Sequence, residues 1–81
     1  MKLRVVLANS LLCLLEDAGT TARESCVLEM DEPCTPRDVL AALGISPLLV
    51  PMILAGQTRV TLDTELDGRA ALTLHGPLAG G

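Results

Sequence analysis

Aromatic side chains are absent from this 81-residue chain, which contains no Phe, Tyr or Trp. The absence excludes an aromatic stacking platform for bases or sugars. Hydrophobic residues still make up 49% of the chain and charged residues 20%, a balance that excludes a disordered protein. We therefore expect one small domain whose core is built from Leu, Val, Ile, Ala and Met side chains.

Positive charge is scarce. Six Lys and Arg residues stand against ten Asp and Glu residues, for a formal net charge of −4, and the basic residues form no cluster. Because nucleic acids and anionic membranes attract basic surfaces, neither is expected as a partner.

Cysteines are few and odd in number. The three cysteines, Cys13, Cys26 and Cys34, form no C-x-x-C motif. Their number and spacing argue against a disulfide framework, a zinc ribbon and an iron–sulfur site. We interpret them as free buried thiols in a reducing compartment, with a redox or relay role for one of them as the alternative. No cluster of metal ligands is visible, so neither a metal nor another bound cofactor is expected.

Long hydrophobic runs are also missing, since no run approaches the roughly 18 residues that span a membrane. Lys2 and Arg4 before an apolar segment imitate the start of a signal peptide. Asn9 and Ser10 interrupt that segment, however, and no small-residue cleavage site follows. We expect the segment to be part of the mature structure and the protein to be cytoplasmic.

Two helices are predicted. Ser10 is available to cap a short leucine-rich helix that Gly19 ends. Thr35 begins the clearer helix, with Pro at its first position and an acidic residue at its third, and Gly44 ends it.

Hydrophobic patterning predicts the remaining elements and the fold. Strands are expected over residues 2–8, 24–30, 52–55, 58–60 and 70–75. This order indicates an α+β domain, a mixed sheet with one main helix packed across it and a short second helix. That arrangement is the ubiquitin-like β-grasp. We expect the domain to occupy residues 1–76 and a flexible diglycine tail to occupy residues 77–81.

Three motifs carry a family resemblance: TPRDVLAALG at residues 35–44, LDTELDG at residues 62–68 and PLAGG at residues 77–81. With them the chain resembles the sulfur-carrier branch of the ubiquitin-like proteins, and most closely the small subunit of molybdopterin synthase. The resemblance implies that an ATP-dependent, ubiquitin-activating-type adenylyltransferase adenylates the Gly81 carboxylate. A persulfide sulfur then displaces AMP and leaves a C-terminal thiocarboxylate.

The same resemblance implies that an acceptor enzyme, such as the large subunit of molybdopterin synthase, consumes the thiocarboxylate in molybdenum cofactor biosynthesis. The chain is then a cosubstrate or subunit without an active site of its own, and the ATP belongs to the activating enzyme.

The physical chemistry of the tail agrees with such a role. Gly80 and Gly81 lack a β-carbon, so their backbone can pass through a narrow channel. Pro77 stiffens the exit from the domain, and Leu78 and Ala79 offer small apolar contacts that can seat the tail in a partner.

His75, the only histidine, precedes the tail. It is interpreted either as an exposed strand-end residue on the side opposite Leu72 and Leu74 or as part of a partner-docking face. Arg59 and Arg69 are interpreted as solvated side chains, with contacts to an activating enzyme as the alternative.

Three other functions stay open at this point. The first is the sulfur carrier of thiamine biosynthesis, which shares the fold and the terminal diglycine. The second is a ubiquitin-like modifier whose Gly81 is joined to lysines of target proteins. The third is an interaction module whose tail has no covalent chemistry.

Overall fold

The computed structural model describes residues 1–19 and 23–77, and within them the chain forms five strands, two α-helices and a 3-10 turn. In chain order these are β1 (Lys2–Leu7), α1 (Asn9–Asp17), β2 (Ser25–Glu29), α2 (Pro36–Leu43), the 3-10 turn (Pro47–Leu49), β3 (Met52–Ala55), β4 (Thr58–Val60) and β5 (Leu72–His75). The predicted order of elements is confirmed.

The strands form one mixed sheet in the order β2-β1-β5-β3-β4. β1 and β5 run parallel, with Val5 opposite Leu72, and the other neighbouring strands are antiparallel. The last strand therefore lies in the middle of the sheet. Both helices pack on one face of it, which confirms the predicted β-grasp architecture.

The core lies between that face and the helices. Alternate residues of β1 and β5 point inward, and Val5, Leu72 and Leu74 are completely buried. Leu11 of α1 and Leu40 of α2 are completely buried and complete the core on the helical side. The core is aliphatic, as predicted from the missing aromatics, but Ala and Met side chains contribute only at its margin.

The cysteines differ in burial, so their interpretation as three buried thiols was wrong for one of them. All three are free, but Cys34 is buried, Cys26 is half-buried and Cys13 is exposed. α1 buries Leu11 and Leu15, which are one turn apart, and Cys13 lies halfway between them on the opposite side of the helix.

The start of α2 is the predicted capping box. The Thr35 hydroxyl accepts a hydrogen bond from the Asp38 amide (3.4 Å), and the Asp38 carboxylate accepts one from the Thr35 amide (3.0 Å). Gly44 ends the helix with a φ of 71°, in the left-handed region that favours glycine.

The predicted Ser10 cap of α1 is wrong. The helix begins at Asn9, its N-cap residue is Ala8, and no side chain caps it. Ser10 lies inside the first turn, and its hydroxyl binds a residue at the other end of the chain. The first turn is held by tertiary contacts in place of a local cap.

The predicted bounds of β3 and β4 are confirmed, whereas the ends of β1, β2 and β5 differ from the prediction by one or two residues. The difference is largest at β5, which begins at Leu72 instead of residue 70. The Ala71 carbonyl accepts a hydrogen bond from the amide of Gly56, in the β3–β4 turn, so the chain is still entering the sheet there. None of the helices in residues 1–19 and 23–77 is long and apolar enough to cross a lipid bilayer.

Candidate functional site: the exit of the C-terminal tail

The described residues include the base of the predicted tail but not its tip. His75 and Pro77 are described, whereas Leu78, Ala79, Gly80 and Gly81 lie outside the described residues. The division into a 1–76 domain and a flexible tail therefore stays a prediction. The structure does describe where the chain leaves the domain and what surrounds that point.

The exit lies beside the first turn of α1. β5 runs parallel to β1, so both strands end at the same edge of the sheet. The Ala8 amide donates a hydrogen bond of 2.9 Å to the Leu74 carbonyl, and α1 begins one residue later. The sheet thus brings residues 8–11 against the end of β5.

A hydrogen bond joins the exit to the helix. The Gly76 amide donates to the Ser10 hydroxyl oxygen at 3.0 Å, across 66 residues of sequence. Sequence reasoning missed this contact, because it assigned Ser10 to a helix cap and residue 76 to the end of the domain. Nothing local in the sequence marks the pair; only the parallel pairing of β1 with β5 brings the two residues together.

Gly76 is also packed closely against the helix backbone. It is buried, and a β-carbon at this position would lie 2.8 Å from Leu11 Cα and 2.9 Å from the Leu11 nitrogen. Because Leu11 is completely buried in the core, its backbone has little room to move away. Glycine is therefore required here by close approach.

Pro77 is exposed and lies one residue beyond Gly76, the first residue after β5. The Gly76 amide is bonded to Ser10 and proline has no amide hydrogen, so neither residue extends the hydrogen-bonded ladder, and β5 ends at His75, as the sequence predicted. The chain consequently leaves the sheet at a defined residue.

His75 points away from the core, on the side opposite Leu72 and Leu74, as predicted. It pairs with Met52 of β3 and is half-buried, so the expectation of an exposed side chain was wrong. Its Nε2 atom is buried and has no hydrogen-bond partner among residues 1–19 and 23–77. A role in partner docking stays a prediction.

The sheet face that carries His75 is the one opposite the helices. Val6, Met52 and Leu54 are half-buried on it, and Arg4 and Arg59 are exposed at either side. This face therefore combines an apolar centre with basic side chains, although the whole chain is acidic.

Arg69 lies elsewhere. It lines an open depression of about 480 Å³ together with Glu32, Glu65 and Asp67. Acidic neighbours make this arginine a poorer contact for an acidic partner than Arg59. In the part of the chain that the structure describes, no group of three or more His, Cys, Asp or Glu side chains is placed to hold a metal ion.

Comparisons with known proteins bear on the fold. No protein-family model and no curated protein matches this sequence. The crystal structure of SAMP1 from Haloferax volcanii superposes with a TM-score of 0.69 at 22% identity, covering all of both chains. The solution structure of the HVO 2177 protein from the same organism superposes with a TM-score of 0.69 at 23% identity, covering 100% of this chain and 87% of that one.

At these identities the likeness concerns the fold alone. Neither structure tests the narrower resemblance to the small subunit of molybdopterin synthase. Together with the strand order and the helix-covered face, they show that this chain has the ubiquitin-like β-grasp fold.

Proposed function

We propose that this chain is a ubiquitin-like carrier protein that transports sulfur as a thiocarboxylate on Gly81. The observation that carries the proposal is the anchored exit: the central strand of a β-grasp sheet ends at His75, Gly76 is bonded to Ser10, and the Pro-Leu-Ala-Gly-Gly sequence follows at once. One of the two similar folds, SAMP1, is a ubiquitin-like small archaeal modifier protein, which supports a role as a carrier or modifier.

The proposed chemistry takes place on partner enzymes. A Gly81 carboxylate oxygen attacks the α-phosphorus of ATP, pyrophosphate leaves, and an acyl adenylate forms. A persulfide sulfur attacks the carbonyl carbon and AMP leaves, which gives an acyl disulfide. A thiol then cleaves the S–S bond, forming a disulfide with the donor and releasing the Gly81 thiocarboxylate.

The chain's own residues deliver the carboxylate and do not catalyse its activation. Pro77 fixes one backbone dihedral at the exit, which lowers the entropy lost when a partner binds the tail. The two glycines leave room for a narrow channel around the reacting carbonyl. The apolar and basic sheet face beside His75 offers a surface for docking the folded domain.

Within this proposal, the recipient of the sulfur is the large subunit of molybdopterin synthase. The motifs at residues 62–68 and 77–81 support a carrier for molybdopterin synthase over the carrier of the thiamine pathway. A second candidate function is a protein modifier, in which a target lysine amine attacks the same adenylate-activated carbonyl. The likeness to SAMP1, a small modifier protein, supports this candidate as well as the carrier.

Intact mass spectrometry tests the proposal. The chain is incubated with ATP, an activating enzyme of the ubiquitin-activating type and a persulfide donor. We expect a mass increase equal to the replacement of one oxygen by sulfur, localised to the C-terminal peptide. A chain extended by one alanine beyond Gly81 is the matched control, because it has no free Gly81 carboxylate to adenylate.

Two outcomes would decide against the sulfur-carrier proposal. The first is an unchanged mass with an enzyme that is active on its own carrier. The second is a set of lysine-linked conjugates that survive reducing gel electrophoresis without any thiocarboxylate, which would establish the modifier instead. The mass of the protein purified from its natural host also shows whether Gly81 is its last residue, as the proposal requires.

A further inference from the structure

We propose that Ser10 and Gly76 are positioning residues that set the direction in which the tail leaves the domain. We call this contact the exit clamp: the hydrogen bond from the Gly76 amide to Ser10 Oγ and the packing of Gly76 on the Leu11 backbone. The inference rests on the proposed function, because it concerns how the Gly81 carboxylate reaches an activating enzyme.

The exit clamp is attached to the buried core of the molecule. Leu11 is completely buried, and the Ala8–Leu74 hydrogen bond holds the same turn of α1 to the central strand. Gly76 thus contacts the helix through its amide and through its α-carbon. The last buried residue before the tail is consequently held relative to the helix and to the sheet.

The short tail makes its starting direction important. Five residues follow Gly76, and fully extended they span at most about 17 Å. When a partner channel holds the tail extended, a change of about 20° in direction at Pro77 would move the far end by about 6 Å. Reacting atoms must approach within about 3–3.5 Å, and a misplacement of about 1 Å can lower a rate about 100-fold.

Ser10 makes this contact in place of a local one. A serine at the N-cap position ordinarily accepts a hydrogen bond from an amide of the first turn, but Ser10 is the second residue of α1 and Ala8 holds the N-cap position. Here α1 has no side-chain cap, and the Ser10 hydroxyl accepts from Gly76 instead. The Ser10 hydroxyl therefore binds the residue from which the tail leaves the domain and does not cap the helix.

Steady-state kinetics with the activating enzyme test the exit clamp. Ser10→Ala removes the acceptor and is expected to lower kcat for adenylate formation about 10-fold or more. KM for the carrier should change less than about twofold, because the docking face is untouched. Ser10→Thr retains a hydroxyl and should restore most of the rate. Ser46→Ala, which removes a comparable bond from the Leu48 amide, is the matched control and should match the wild type.

A longer tail separates positioning from folding. Two glycines inserted between Pro77 and Leu78 leave the domain unchanged but uncouple the far end of the tail from the exit clamp. In that background, the chain that keeps Ser10 and the chain that carries Ser10→Ala should react at equal rates. Faster amide exchange at Gly76 in Ser10→Ala confirms that the hydrogen bond has been lost.

The outcomes distinguish this inference from the proposed function. If the wild type forms neither adenylate nor thiocarboxylate, the proposed function is wrong and the exit clamp has no reaction to serve. If the wild type reacts and Ser10→Ala has an unchanged kcat, only the exit clamp is wrong. It is also wrong if Ser10→Ala lowers the rate equally with the normal and the lengthened tail, since the effect would then come from the domain.

Discussion

Cys34 shows how position decides the chemistry of a single residue. The three thiols have the same covalent structure, but only Cys34 is completely buried, with its sulfur 3.6 Å from the Thr35 carbonyl oxygen. Burial raises the pKa of the Cys34 thiol above its ordinary value of 9.0, and the nearby Asp38 carboxylate raises it further, while the N-terminal amine acts in the opposite direction. The thiol is therefore kept neutral and behaves as a small core side chain.

This pKa shift predicts a pH dependence of stability. Above about pH 9 the Cys34 thiol ionises in the unfolded chain before it ionises in the folded one, so ionisation favours unfolding. The free energy of unfolding, measured by urea denaturation, should fall more steeply between about pH 8 and pH 10 in the wild type than in Cys34→Ala. Cys13→Ala is the matched control, since Cys13 is exposed, and it should keep the wild-type slope. Equal slopes in all three proteins would contradict the prediction.

The two helices are held in different ways. α2 has eight residues, about two turns, and depends on the capping box of Thr35 and Asp38 at its start. α1 has no side-chain cap and depends on Leu11 and Leu15 in the core and on the Ser10 contact to Gly76. A local change should therefore affect α2 most at its cap and α1 most at its buried face.

Thr35→Ala tests the contribution of the cap. Removing the hydroxyl leaves the Asp38 amide without its acceptor, and we expect the free energy of unfolding to fall by about 1 kcal/mol. Asp63→Ala is the control at the same end of α2. This substitution removes the ion pair between Arg37, whose side chain is 55% exposed, and Asp63, whose side chain is 78% exposed. Exposed ion pairs contribute about 0–1 kcal/mol.

Urea denaturation of both variants distinguishes the two contributions. A loss in Asp63→Ala as large as the loss in Thr35→Ala would show that the surface ion pair, and not the cap, stabilises the start of α2. The Asp63→Ala effect should also shrink further at high salt, because salt screens exposed charges.

At the scale of the whole molecule, folding and the proposed chemistry occupy different residues. Within residues 1–19 and 23–77 the buried core residues lie between Leu3 and Leu74, whereas the proposed reacting group is at Gly81. The proposed docking face lies on the side of the sheet opposite the core. The domain can therefore keep its stability while the tail loses its chemistry.

Deleting Gly81 tests that separation. The free energy of unfolding of the shortened chain should stay within about 0.5 kcal/mol of the wild type, because a terminal glycine has no side chain to contribute to the core. The shortened chain should form no thiocarboxylate in the intact-mass assay, because the partner channel would receive Gly80 one residue short of the reacting position. Sulfur transfer by a chain ending at Gly80 would contradict the assignment of Gly81 as the carrier residue.

Sequence reasoning reached the fold through local signals. The capping box at Thr35, the left-handed glycine at residue 44 and the alternation of β1 and β5 each depend on residues close together in the chain. Their order was sufficient to predict the β-grasp sheet and the end of the last strand before Pro77. Such signals can be recognised in the sequence because backbone preferences, and the burial of one face of a helix or strand, depend on only a few neighbouring residues.

The exit of the tail was decided only in three dimensions. The sequence by itself predicted a helix close to Ser10 and a strand that ends just before Gly76. The tertiary structure determined that these residues meet across 66 positions, and that Leu11 leaves no room for a β-carbon at residue 76. The reason is that the contact depends on the parallel pairing of β1 with β5. No local sequence pattern predicts a hydrogen bond between a donor and an acceptor so far apart in the chain.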